Sequence, residues 1–431
     1  MNVLIVGNGG REHTIAWKIF SSPSFKDSES KLYCTIGNPG INEIAEPIDI
    51  KPDETDLLLK FATDNKIDFT VVGPEIPLSL GIVDVFKDNG LKVFGPSRLA
   101  SEIETSKVFS KDFMARNNIP TAKFKVFDDT NYSEVQEYLR SVNYPVVIKA
   151  DGLAAGKGVY IAKDYQDAMG FINDIHDNLI FGKSGLRFVV EEYLTGFEVS
   201  VFVITDGKDF KILPFAQDFK KIGEGDTGKN TGGMGSFAPA NFLVDVPTQE
   251  KIISRVVLPT LKNMLEEGRE FKGCLYCGLM IVKEKDEYQT YVIEFNCRFG
   301  DPETQSVLPL IKSDFLQLLI ASSEGRINEY NLEVNELYSL SVVAASGGYP
   351  DKHNTGYVIK GLDSINNECL VFHSGTKGTD RDVVTNGGRV LSVAGISKLS
   401  FKDAREKVYS NIDKISFENM YFRKDIGSKL I

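Results

Sequence analysis

Short apolar runs bounded by glycine-rich turns alternate with amphipathic stretches through the first hundred residues. Asn2–Val6 reads as a buried strand, followed by Gly7-Asn8-Gly9-Gly10-Arg11-Glu12 and a helix over about 13–20 with Ile15, Ala16, Ile19 and Phe20 on its apolar face. A second strand ends at Ile36-Gly37. A helix over 55–65 leads to strand Phe69–Val72 and Gly73-Pro74-Glu75, and a helix over 80–89 leads to Val93-Phe94-Gly95. Strand and helix alternate four times, which predicts an open parallel α/β sheet over residues 1–104. Ligands of such sheets bind beyond the carboxyl ends of the strands, which here are the glycine-rich turns.

The pattern then changes. Ser106-Lys107 opens a helix to about 117. Two apolar runs, 145–148 and Val159–Ala162, flank a Gly/Ala loop carrying Lys149 and Lys157. The segment after the loop is β-rich, and Asp151 and Gly158 break the P-loop pattern, so the loop is expected to join two strands as a flap over phosphate. A strand over 188–194 enters a connector, whose backbone can read a purine edge, and another strand follows over 199–205. Residues 223–235 are too glycine-rich to hold a regular element cheaply and are expected to be a long functional loop. A helix over 252–266 and a strand over 279–283 precede the stretch 291–296. In that stretch Tyr291, Ile293 and Phe295 alternate with Val292, Glu294 and Asn296, so each set is expected to share a face. A helix over 315–325 closes this block. From 327 onward, β-like runs at 339–345, 371–374 and 389–393 and a helix Phe401–Ile412 suggest a small mixed domain.

Composition narrows the function classes. The chain has 431 residues with 42% hydrophobic and 25% charged positions, as in a soluble globular protein of several domains. A net charge of −11 without a long basic run argues against nucleic acid or a membrane surface as partner. The five cysteines are scattered, and Cys274-x-x-Cys277 lacks the second pair of a zinc site, so packing is expected of it. The N-terminus lacks a signal peptide's basic region and cleavage site, and no apolar run approaches a membrane span. A cytoplasmic protein with free thiols is expected. His13, His176, His353 and His373 have no metal spacing and read as structural or exposed.

The first turn fails the dinucleotide fingerprint, because Glu12 stands at the third glycine position. Its helix N-terminus still suits one phosphate, with Arg11 adding charge. Glu294 and Asn296 put two oxygen donors on one strand face, which suits a hard divalent cation that fills its other positions with water and phosphate. Alone, a Glu-x-Asn is usually only a polar strand end. The lysine-bearing loops give it weight.

The motifs GNGGREH, GNPGI, VVGPE, FGPS, VIKADGLAAGKGV, GDTGKNTGGMG, IEFNCRFGDPETQ, ASGGYP and NGGRVLSV occur in order along the chain. In this it resembles the phosphoribosylamine–glycine ligases (glycinamide ribonucleotide synthetases) of the ATP-grasp superfamily. The resemblance implies a multidomain α/β and α+β architecture: an N-terminal open parallel α/β (pre-ATP-grasp) domain over 1–104, a two-lobed ATP-grasp body over 105–326 with its small lobe at about 122–190, and a small β-rich C-terminal domain over 327–431. It implies ATP-dependent joining of glycine to 5-phosphoribosylamine through a glycyl phosphate, giving glycinamide ribonucleotide, ADP and phosphate in purine biosynthesis. ATP and Mg2+ (or Mn2+) are the implied cofactors, and a monomeric, single-activity form is expected.

By position, the resemblance assigns the metal to Glu294 and Asn296. ATP falls to Lys107, Lys149, Gly156, Lys157, Glu191, Glu192, Leu194 and Glu198, with adenine at 191–194 and ribose at Glu198. The phosphoribosylamine side falls to Asn8, Gly9, Gly10, Arg11, Glu12, Pro74, Glu75, Asp218 and Asp301. Arg298, Lys149, Asn230 and Gly233 are the implied catalytic positions, and, because a labile phosphoribosylamine favours a closing lid, the flap is expected to be that lid. Phe219 departs from the family pattern, where His is expected. Two rivals stay open: another ATP-grasp enzyme, such as a phosphoribosyl formate ligase or a biotin carboxylase, and a nucleotide-binding module without catalysis.

Overall fold

A computed structural model describes residues 1–26, 29–152, 158–180 and 182–430. The N-terminal sheet is parallel and five-stranded. Its order is Glu46–Ile48, Lys31–Thr35, Asn2–Val6, Phe69–Val72, Val93–Phe94. The strand Glu46–Ile48 was not expected, because Pro47 argues against a strand; it is tolerated at the sheet edge, where a missing donor costs least. The first helix spans Gly10–Phe20 and so begins earlier than its apolar periodicity suggests. The Glu12 carboxylate accepts from the Gly9 backbone N–H at 2.8 Å, which recruits Gly10 to Glu12 into the first turn. The helix expected over 80–89 spans Ile82–Asp88, and a short helix that was not expected, Glu75–Ser79, precedes it, the two separated at Gly81, whose φ is +85°. Helices Arg98–Thr105 and Lys107–Arg116 then run end to end, the Ser106 hydroxyl capping the second by accepting from the Phe109 N–H.

The small lobe is an antiparallel sheet ordered Phe124–Phe127, Phe188–Glu192, Val146–Ala150, Val159–Ala162. Helices Val135–Ser141 and Tyr165–His176 bury Leu139, Ala168, Ile172 and Ile175 against Phe127, Ile148 and Phe188. The two strands flanking the flap pair directly, Lys149 opposite Val159, as the loop reading requires. Gly156 and Lys157 lie outside the described residues.

The large lobe is built on Phe210–Ile212, Phe197–Thr205, Gly273–Glu284 and Glu287–Asn296, also antiparallel. Cys274 and Cys277 are buried in the third of these, and all five cysteines are buried free thiols. Glu287–Asn296 is not the plain alternating strand its sequence suggests. Gly278 pairs with Glu294 while Leu279 pairs with Val292, so Ile293 is an extra residue in a β-bulge. The bulge reverses parity. Val292 and Phe295 both point into the apolar core, whereas Glu294 and Asn296 face the opposite way. Glu294 and Asn296 do share a face, but Val292 is not on it.

The glycine-rich stretch also departs from expectation. It contains an antiparallel hairpin, Lys221–Gly223 with Thr227–Asn230, turning through Gly225 and Asp226 at φ +66° and +58°. The C-terminal segment holds this hairpin in place. Tyr421 OH donates to Ile222 O at 2.7 Å, Arg423 Nη1 to Lys221 O at 3.0 Å, and Gly225 N–H to Asp425 Oδ2 at 2.8 Å.

The last sheet joins two regions of the chain. Its order is Gln217–Asp218, Gly235–Ala238, Tyr338–Ala345, Arg389–Ser397, Cys369–His373, with helix Phe401–Ile412 packed on it. One apolar cluster runs from Leu4 and Val72 through Leu279 and Val292 to Leu340 and Val393. The first helix meets the C-terminal strands at a buried histidine pair, where His13 Nδ1 accepts from the His373 backbone N–H at 2.8 Å. Among the described residues no helix is long and apolar enough to cross a membrane.

Candidate active site

A cleft of about 430 Å³ opens where the N-terminal sheet's turns, both lobes and the C-terminal sheet meet. Of the residues singled out in the sequence, Arg11, Glu75, Lys107, Lys149, Asp218, Glu294, Asn296, Arg298 and Asp301 line it. Others stand behind its wall. Glu12 fills a cradle of glycines: a Cβ on Gly7, Gly9 or Gly73 would come within 2.6, 2.9 or 2.2 Å of its side chain. Glu12 binds Arg11 Nε at 2.6 Å, and Arg11 Nη1 donates to Phe299 O at 3.1 Å, so Glu12 acts here by fixing Arg11. Pro74 caps helix Glu75–Ser79, whereas Asn8 ties the first turn to Gly37, and Gly10 packs on Ser374. Glu192 accepts from the Lys123 N–H at 2.9 Å, and Leu194 lies in the connector after its strand. Asn230 pairs with Lys221, and Gly233 packs against Pro302; the cleft wall between them is Thr231 and Gly232.

The centre of the cleft is the Glu294 carboxylate. Burial alone would raise it, but Lys220, Lys149, Arg298 and Lys107 more than offset this, and it lies below the ordinary range for glutamate. Lys107 Nζ donates to Gly152 O at 2.7 Å, and Lys149 Nζ to Ile293 O at 2.9 Å. Lys220 Nζ sits 2.6 Å from Glu198 Oε2. Arg298 is held by three acids or acceptors: Glu75 at 3.3 Å, Glu104 at 2.9 Å and the Phe299 carbonyl at 3.2 Å. Glu104 is anchored in turn by the Cys297 N–H at 2.7 Å. Burial, together with Glu303, Glu198 and Glu294, pushes the Asp218 carboxyl well up, although Lys220 pulls the other way. The cleft thus alternates concentrated positive and negative charge, an arrangement that suits a polyanion and its counter-ion.

Glu294 and Asn296 give one carboxylate and one amide oxygen. Asn296 Oδ1 has only a long contact to Arg298 Nη2, 3.4 Å. Among the described residues no three acidic, histidine or cysteine side chains cluster as a metal cage. Two oxygen ligands with open neighbouring space fit Mg2+ or Mn2+ that also binds phosphate and water, and do not fit an ion needing an all-protein cage.

Several cleft residues were not assigned a role in the sequence. Arg389 reaches in from the C-terminal sheet, its Nη2 2.8 Å from Asp301 Oδ2 and its Nη1 donating to Asp301 O at 2.7 Å and Gly232 O at 2.6 Å. Tyr276 OH donates to Glu303 Oε1 at 2.9 Å. Lys111, Glu104 and Lys220 also line the cleft. Arg389 lies in a recognisable motif, NGGRVLSV, but nothing local to that motif says that it reaches another domain. Phe219, where the family pattern expects His, lies beneath Arg423, whose guanidinium sits 5.2 Å from the ring centroid.

Three family sequence profiles match in series: phosphoribosylglycinamide synthetase N domain over residues 1–104, its ATP-grasp (A) domain over 105–304, and its C domain over 339–429. A phosphoribosylamine–glycine ligase of Caldanaerobacter subterraneus is 46% identical over 428 residues, covering 99% of this chain and 100% of the relative. The crystal structure of a phosphoribosylamine–glycine ligase from Thermotoga maritima superposes with a TM-score of 0.84 at 31% identity, covering 99% of this chain and 100% of the other. A biotin carboxylase domain of Hydrogenobacter thermophilus 2-oxoglutarate carboxylase, solved with MgADP, ADP and bicarbonate, shares the fold at 15% identity with a TM-score of 0.72, covering 98% of this chain and 91% of that one.

Proposed function

The chain belongs to the phosphoribosylglycinamide synthetase family, and from that premise we propose that it joins glycine to 5-phosphoribosylamine at the expense of ATP, releasing ADP and phosphate and forming glycinamide ribonucleotide, a step of purine biosynthesis. The observation that carries this reading is the convergence of Lys107, Lys149, Lys220 and Arg298 on Glu294 within one cleft whose far wall is the first turn's Arg11 and the Glu75 turn.

The chemistry follows from what glycine lacks. Its carboxylate has no good leaving group. Transfer of the γ-phosphoryl from ATP to a carboxylate oxygen makes an acyl phosphate; the amine nitrogen then attacks the acyl carbon, the C–O bond to phosphate breaks, and the amine's proton passes to the departing phosphate. Glu294 and Asn296 would hold the divalent ion, which supplies charge neutralisation among the phosphates. Lys107 and Lys149 hold phosphate oxygens. Arg298, fixed by Glu75 and Glu104, faces the acyl phosphate as charge develops there. Glu191 to Leu194 border the adenine, and Glu198 the ribose. Arg11, Glu75 and Asp301 face the phosphoribosylamine. No side-chain nucleophile is required, since positioning and electrostatics carry the reaction.

An ADP-release assay tests the whole reading. Turnover is expected only with glycine and phosphoribosylamine together. ADP release that ignores either one, or that responds instead to bicarbonate and biotin, would overturn it.

A further inference from the structure

The cleft holds a buried ionic chain of which the proposed chemistry uses only Lys149, and the proposed adenine site only Glu191. Lys111, whose side chain is 3% exposed, places Nζ 2.8 Å from Glu191 Oε2 and donates to Thr121 Oγ1 at 2.6 Å. The Thr121 hydroxyl donates in turn to Val292 O at 2.7 Å. On the other side of Glu191, Lys149 Nζ lies 3.0 Å from Oε1 without a well-aligned hydrogen bond, and donates instead to Ile293 O at 2.9 Å. Val292 and Ile293 are the two residues entering the bulge that aims Glu294.

A bulge leaves its extra residue outside the ladder. Here both carbonyls at the bulge are bound, one by Thr121 and one by Lys149, and Lys111 and Glu191 close the circuit between them. Two of the participants, Lys149 and Glu191, belong to the small-lobe sheet; Val292 and Ile293 belong to the large lobe. The circuit therefore spans the lobes at the point where nucleotide and metal would meet.

Resting on the function proposed above, we infer that Lys111 is a positioning residue: through Glu191 and Thr121 it ties the small-lobe sheet to the bulge beneath Glu294, so that divalent metal and nucleotide strengthen each other's binding. Partners one layer behind a metal ligand change metal affinity when lost, because they fix the ligand's orientation.

The test compares ADP binding by calorimetry with excess EDTA and with excess Mg2+, for the wild type, Lys111→Met and Thr121→Val. In Lys111→Met the Mg2+-dependent strengthening should fall by about tenfold, whereas metal-free ADP binding stays within about threefold of wild type. Thr121→Val, which removes one hydroxyl with little change in volume, should lose a smaller share in the same direction, and decides the matter if Lys111→Met does not fold. Equal loss of both affinities, or no loss of either, would overturn the inference. The comparison measures binding alone, so a wild-type enzyme that binds MgADP but shows no glycine-dependent turnover would sink the proposed ligase and leave this test standing.

Discussion

At the scale of single residues, the site is an exercise in keeping charge buried but usable. Glu294 stays ionised because four cations surround it, and removing its charge strands them. Glu294→Gln and Lys149→Ala should each lower turnover by about 10²-fold, a typical loss for a group that meets charge in the transition state, with the circular dichroism spectrum unchanged. A near-normal rate in either would remove that residue from the chemistry. Gly73 is a second sensitive point. A Cβ there would lie 2.2 Å from Glu12 Oε1. Gly73→Ala should therefore displace Glu12, loosen Arg11, and cost stability as well as rate, seen as a lower thermal midpoint together with a raised KM for the phosphoribosylamine.

Glu294, Asn296, Arg11, Lys149 and Arg298, which line one cleft, were legible in the sequence, since each lies in a short motif with an unusual residue for its place; Lys107 was legible only through the resemblance. Lys111 was not. On an amphipathic helix it resembles any solvated lysine, and only the approach of Thr121 and Glu191 from other elements shows that it is buried. Arg389 was hidden for the same reason.

At the scale of elements, the informative departures are the bulge at Ile293 and the hairpin within the glycine-rich stretch. Strict alternation predicts the correct shared face for Glu294 and Asn296, but a bulge is invisible to it, because the inserted residue is an ordinary isoleucine. The hairpin was missed because glycine content argues against a strand, and the compensating contacts come from about two hundred residues later. Arg423 is the chief of these: its side chain is 0% exposed, stacks on Phe219 and is paired with Asp226 at 3.0 Å and Asp425 at 2.7 Å. Arg423→Ala should destabilise the fold by roughly 1.5–3 kcal/mol, the range for a hydrogen bond to a charged group. Amide exchange over residues 221–230 should accelerate more than exchange in the N-terminal sheet; uniform acceleration would show that Arg423 does not act locally.

At the scale of the whole molecule, the strand and helix pattern predicts the N-terminal parallel sheet and a change of texture near residue 327, but not how the parts interlock. The junction of His13 with His373 illustrates this. Burial holds His13 down at about 3, with His373 adding to the effect, and burial holds His373 at about 4. His13 Nδ1 accepts a backbone hydrogen bond, which requires it to be unprotonated. An unfolded chain takes up protons on these rings from about pH 6.5 downward while the native state does not, so stability is complete above that pH and falls below it. Each ring should cost about 1.4 kcal/mol per pH unit between 6.5 and its folded value. Urea denaturation at pH 7.5 and 5.0 should show the loss, and His13→Gln should flatten the slope.

The mixed sheet has a consequence for how the protein is made. Gly235–Ala238 pairs with Tyr338–Ala345, and Arg389 enters the cleft from the next strand. At about 5–20 residues per second, the ribosome leaves that edge without its partner for on the order of ten seconds. Until residue 345 has emerged, the nascent protein carries an uncovered strand edge at Gly235–Ala238, and until Arg389 has emerged its cleft is unfinished, so the cleft closes only after the strands that build its walls have been waiting for their partners.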